Sequence, residues 1–134
     1  MSVRCCHSVL FALSVVALAV LLVGCAGEAP PAPGGAQVVS GDVKVEAGDL
    51  YFKADTFTVK AGTPVKFIVK NEGKVEHSFT LPDVGKGMKA EIRMKAGETK
   101  ELPITFNDVG TFKLVCAVPG HSEGGMKGTV NVIR

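Results

Sequence analysis

Cys116, His121 and Met126 lie near the C-terminal end of the chain with four residues between each neighbouring pair, and His77 lies well upstream of them. Together they offer a thiolate, two imidazoles and a thioether, the donor set that suits a blue-copper electron-transfer site. Zinc fits the same residues less well, because a thioether is a poor zinc ligand and a soft sulfur set favours copper. Of the 3 histidines only His77 and His121 lie beyond residue 25, and of the 4 cysteines only Cys116 lies beyond it. In an oxidising compartment a lone thiol needs a reason to stay unpaired, and a metal supplies one.

That argument depends on where the mature chain begins. Arg4 supplies a positive start, Leu10 to Val23 form an apolar run interrupted by Ser14, and Leu22-Val23-Gly24-Cys25 closes it. The run is shorter than the roughly 20 apolar residues a spanning helix needs, so residues 1–25 read as an export signal. The closing tetrapeptide resembles the bacterial lipoprotein signal, in which the cysteine is lipidated and becomes the new N-terminus. Cleavage near Ala26, releasing a soluble product, is the alternative. On either reading the domain works outside the cytoplasm. On the first it is lipid-anchored through Cys25 to the outer face of a bacterial membrane, on its periplasmic or extracellular side.

Residues 26–41 contain Pro30, Pro31 and Pro33 among glycines and alanines, with little to bury, and read as a linker. As a flexible coil such a stretch would reach roughly 20 to 25 Å, enough for a tethered domain to reorient above a membrane. Residues 42–134 then form a single domain, large enough for one modest core.

Within that domain the dominant hydrophobic period is two. Phe57 and Val59 alternate with Thr58 and Lys60; Val65, Phe67 and Val69 alternate with Lys66 and Lys70; Leu102, Ile104 and Phe106 alternate with Glu101, Pro103 and Thr105. Turn residues separate the runs at Ala61-Gly62, Asn71-Glu72-Gly73, Pro82-Asp83, Ala96-Gly97 and Asn107 to Gly110. The pattern predicts an all-β fold, a Greek-key antiparallel sandwich or barrel, with Pro103 on an edge strand or at a bulge. By the same alternation His77 shares a face with Phe79 and Leu81, and Cys116 shares one with Phe112 and Leu114. Both should project from core-facing sides at one end of the sandwich, with His121 and Met126 on the loop that follows Cys116. Met94 alternates with Ile92 and is expected in the core, while Met88 could flank the site.

Other chemistry finds little foothold. A nucleophilic triad would need a spare histidine and a phosphate cradle a glycine loop opening a helix, so no enzyme activity is expected. The net charge is only +2, with 1 tyrosine and 0 tryptophans for base stacking, which disfavours nucleic acid as a partner.

The segment Cys116-Ala117-Val118-Pro119-Gly120-His121-Ser122-Glu123-Gly124-Gly125-Met126, with His77, resembles the cupredoxins, the type 1 blue-copper family that includes plastocyanin, azurin, auracyanin and rusticyanin. The spacing in the loop is most like auracyanin and rusticyanin. The resemblance implies one copper ion held by His77, Cys116 and His121 near a trigonal plane, with Met126 approaching weakly from the axis. It also implies a monomeric carrier that passes single electrons between redox proteins such as a c-type cytochrome, an oxidase or a photosynthetic complex. A periplasmic copper chaperone or sensor that transfers metal is the alternative. Backbone amides of Ser78 and Val118 are expected to aim at the Cys116 sulfur and so favour reduced copper. Ser78 stands where the family often has Asn. For docking, the His121 edge is expected within an apolar patch of Ala117, Val118 and Pro119, rimmed by Lys86, Lys89 and Lys127.

Overall fold

The alternating runs do form strands. The computed structural model describes residues 37–134; the export signal, Cys25 and most of the linker lie outside the described residues. Nine strands follow one another: β1 (Gly41–Gly48), β2 (Tyr51–Lys53), β3 (Thr56–Lys60), β4 (Pro64–Asn71), β5 (His77–Leu81), β6 (Ala90–Met94), β7 (Thr99–Thr105), β8 (Gly110–Val115) and β9 (Lys127–Ile133). They build two sheets, ordered β2-β1-β4-β7 and β3-β9-β8-β5-β6, with no helix among the described residues.

The sheets pack face to face because each turns one row of β-branched and aromatic side chains inward, the surface such residues fit best. Val45, Ala47, Val65, Phe67 and Val69 come from the first sheet, and Phe57, Val59, Phe79, Leu81, Leu114, Val130 and Val132 from the second. Phe67 bridges the layers, with its ring 5.2 Å from that of Phe57 and 5.1 Å from that of Phe79. Burying each such side chain contributes roughly 1.5–3 kcal/mol.

Pro103 lies on β7, an edge strand, where its missing N–H costs the sheet no ladder bond on the open side. Two features depart from simple antiparallel alternation. β1 pairs with β4, and β3 with β9, in parallel, because in each pair the two strands are joined by long connections rather than a hairpin. Every residue of β5 is buried, Ser78 and Thr80 included, and the Ala117 amide just beyond β8 donates to the Ser78 hydroxyl. Within the stretch read as linker, Val38 bridges to Thr58 and β1 opens at Gly41.

Parallel pairing of β1 with β4 brings their C-terminal ends together, with Ala47 opposite Asn71 and the Glu72 amide donating to the Ala47 carbonyl at 2.8 Å. β5 starts a few residues beyond that point. The end of the sandwich where β1 and β4 finish therefore also holds His77.

Candidate metal centre

His77 is the first residue of β5 and Cys116 the first residue after β8, so each leaves its strand at the same end of the fold. Beyond Cys116 the chain closes on itself in a series of turns. The His121 amide donates to the Val118 carbonyl at 3.1 Å, Gly124 to Gly120 at 3.0 Å and Gly125 to Ser122 at 3.1 Å. Gly125 has φ of 111°, a region side chains rarely adopt, and this lets the chain reverse toward Met126. Met126 then donates to the His121 carbonyl at 2.9 Å, and Cys116 donates to the Met126 carbonyl at 3.0 Å. Backbone bonds thus tie the three loop residues of the expected ligand set to one another.

The donor atoms converge. Nδ1 of His77 lies 3.0 Å from Nδ1 of His121, and the Cys116 Sγ lies 3.5 Å from that same His121 nitrogen. Ligand atoms of all three residues fall within 4.8 Å of one another. His77 is 0% exposed, Cys116 1% and Met126 0%, while His121 is only half-buried. Two imidazole nitrogens and a thiol facing one another, two of the three residues buried, each with a lone pair to give when deprotonated, form a donor set that fits a soft or borderline metal ion. Met94 is core, opposite His77 on β6, as expected. Met88 lies exposed in the β5–β6 loop, where its amide and carbonyl bond to Gly85 and Val84.

Ser78 braces the two segments that carry His77 and Cys116. Its amide points at the Cys116 sulfur over 3.4 Å, and its hydroxyl accepts from the Ala117 amide at 2.7 Å while sharing a bond with Thr80 at 2.9 Å. A serine therefore joins the strand of the first histidine to the cysteine loop. The second expected amide does not reach the sulfur. Among the described residues Val118 makes no bond to Cys116 Sγ, and its carbonyl accepts from the His121 amide in the turn that follows. The Val118 N–H therefore gives the sulfur no hydrogen bond that would favour reduced copper.

Three residues that sequence reasoning did not assign to the centre support His77. Asn71 is fully buried, and its side-chain amide donates to the carbonyls of Val75 at 2.8 Å and Met94 at 2.9 Å while accepting from the Gly73 amide at 2.9 Å. It locks the loop that leads into His77. Asp49, in the β1–β2 turn, lies 3.3 Å from His77 Nε2, and Gly73 packs against both. The Lys74 amide, and then the His77 ring, hold the Asp49 carboxyl below its ordinary pKa against the opposing effect of burial. Asn71 and Gly73 were legible only as a turn. Nothing local to Gly48-Asp49 signals a partner on another strand.

A family profile described as a cupredoxin-like domain matches residues 14–132. The chain belongs to the cupredoxin family. Similar proteins include the copper-resistant cuproprotein CopI of Rubrivivax gelatinosus, 32% identical over 75% of this chain and 71% of that protein. CopI of Pseudomonas aeruginosa is 28% identical over 89% of this chain and 94% of its own. Among solved structures, reduced auracyanin from Roseiflexus castenholzii superposes with a TM-score of 0.65 at 20% identity, covering 73% of this chain and 100% of that one, a likeness of fold. The cofactor of this cupredoxin is copper, and the grouping of His77, Cys116 and His121 fits a single ion.

Proposed function

We propose that this cupredoxin is a mononuclear type 1 copper protein that shuttles single electrons between membrane-associated redox partners, with His77, Cys116, His121 and Met126 as its ligands. Copper, when bound, supplies one-electron exchange between Cu(I) and Cu(II). The observation that carries the reading is the closed, braced donor set: His77, Cys116 and Met126 are buried, and Ser78 and Asn71 fix the segments that bear them. Residues held this firmly rearrange little between oxidation states, as rapid electron exchange requires. They also leave little surface from which a substrate could reach the same donors, which favours a carrier over an enzyme. His121, half-buried, offers its ring edge as the route outward, beside Val118 and Pro119.

A second reading has a specific observation behind it. The names of the CopI relatives speak of copper resistance, which favours copper handling, as in a chaperone or sensor. Chelator competition combined with voltammetry separates the two. The carrier is expected to show a reversible one-electron wave and to surrender Cu(I) slowly to a competing chelator. Rapid metal loss without a reversible wave would replace electron transfer with metal transfer as its role.

Redox partners such as a c-type cytochrome, an oxidase or a photosynthetic complex fit an exported carrier. Of the lysines expected to rim the docking patch, Lys89 is ion-paired with Glu91, so Lys86 and Lys127 are the better candidates to steer an acidic partner. Tethering through a lipid on Cys25 would keep the protein near such partners. Cys25→Ala should move it from the membrane to the soluble fraction with an unchanged visible spectrum, because the copper ligands are remote from residue 25 in sequence. Fractionation that leaves the variant on the membrane would reject the anchor.

A further inference from the structure

We propose that Asp49 is a positioning residue for copper, accepting the Nε2–H of His77 so that Nδ1 keeps its lone pair aimed into the centre and the imidazole becomes a stronger donor. The inference deepens the copper reading and rests on it.

A neutral imidazole carries one N–H, so whichever nitrogen donates decides which one can bind metal. His77 presents Nδ1 to His121 at 3.0 Å and Nε2 to the Asp49 carboxylate at 3.3 Å, and the ring itself is wholly buried. The carboxylate is itself fixed, since the same Oδ1 accepts from the Lys74 amide at 3.0 Å.

Two independent features of the backbone keep this contact open. A Cβ at Gly73 would stand 2.4 Å from the Asp49 Oδ1 and 2.6 Å from His77 Nε2, so any side chain there would force the pair apart. Gly73 does not have the positive φ that otherwise calls for glycine; the space between aspartate and histidine is what calls for it. Leu50, next to Asp49, has φ of 68°, a conformation that L residues other than Asn and Asp seldom adopt. Its side chain reaches the opposite ligand loop, with its Cδ atoms 3.1 and 3.3 Å from where a Gly124 Cβ would be. A strained two-residue turn thus places Asp49 on His77 and Leu50 on the segment between His121 and Met126.

A carboxylate on the outer nitrogen raises the basicity of a metal-bound imidazole, and its negative charge favours the more highly charged ion. Asp49 should therefore hold Cu(II) more strongly than Cu(I) and lower the reduction potential. An aspartate that merely capped the Lys74 amide would have neither effect on copper.

The test has two arms on the full domain. In the metal-free protein, 15N–1H correlation of the histidine rings should find the proton of His77 on Nε2, and Asp49→Ala should redistribute it; an unprotonated Nε2 in the unaltered protein overturns the proposal without need of any variant. In the copper-loaded protein, Asp49→Asn and the charge-preserving Gly73→Ala should both keep the visible band and both raise the potential. The expected change is about tenfold in the ratio of Cu(II) to Cu(I) affinity, which for one electron is about 59 mV. Potentials equal to that of the unaltered protein in Asp49→Asn would reduce Asp49 to a turn residue. Failure of the unaltered protein to take up copper would instead overturn the copper reading, while the first arm still reports whether the hydrogen bond exists.

Discussion

Cys116→Ser is expected to abolish the intense visible absorption of the oxidised, copper-loaded protein. The colour of a type 1 site comes from charge transfer out of a thiolate bound covalently to copper, and a serine hydroxyl supplies neither the soft donor nor the filled sulfur orbital. The substitution is also a clean one structurally. Cys116 is 1% exposed and serine has the same branching with a slightly smaller terminal atom, and the Ser78 amide that now points at sulfur can donate to a hydroxyl oxygen instead. Its backbone bond to Met126 is untouched. The cost to folding should be on the order of 1–2 kcal/mol, the price of a polar group in an apolar site that partly satisfies it. Far-ultraviolet circular dichroism should therefore show the same sheet structure and a modestly lower melting temperature, while the visible band is lost altogether. A variant that keeps its colour would remove Cys116 from the metal and with it the main premise of the proposed function.

Replacing Met126 should shift the reduction potential in opposite directions according to the replacement. Met126→Leu deletes a weak donor that helps Cu(II) more than Cu(I), so the potential should rise; Met126→Gln offers an amide oxygen, a harder donor that favours Cu(II), so it should fall. A difference between the two variants of at least tenfold in the Cu(II)/Cu(I) affinity ratio, about 59 mV, is expected. Met126 is fully buried and its backbone bonds to both His121 and Cys116, so either side chain would be held in the same place. Leucine is close to methionine in volume, and a swap of this kind usually costs less than about 1.5 kcal/mol. Voltammetry of the three proteins at one pH decides the matter. Identical potentials would take Met126 off the copper and leave it as packing.

The grouping of His77, Cys116 and His121 was legible because its signal is local: Cys116 and His121 lie on one loop at fixed spacing, with Met126 beyond them, and the period of two shows which way His77 and Cys116 face. The sandwich was legible for the same reason, since Val65, Phe67 and Val69 declare a half-buried strand wherever it packs. The Ser78 amide points at the Cys116 sulfur as expected, and its hydroxyl also meets Ala117, but the companion role expected of Val118 failed because backbone direction in a turn cannot be read from a residue's having an N–H.

What only the tertiary structure decided is everything that depends on strands distant in sequence meeting at one end. Parallel pairing of β1 with β4 sets Ala47 opposite Asn71, and from that register follow the Asn71 clamp on Val75 and Met94, the close fit at Gly73 and the meeting of Asp49 with His77. Composition and periodicity carry no record of register between strands, since a pattern of period two is satisfied by many pairings and the choice is made by which set of side chains fills the shared core. The residues that converge at this end of the sandwich were therefore legible in the sequence, while the outer residues packed against them emerged only when the two sheets closed over Phe67.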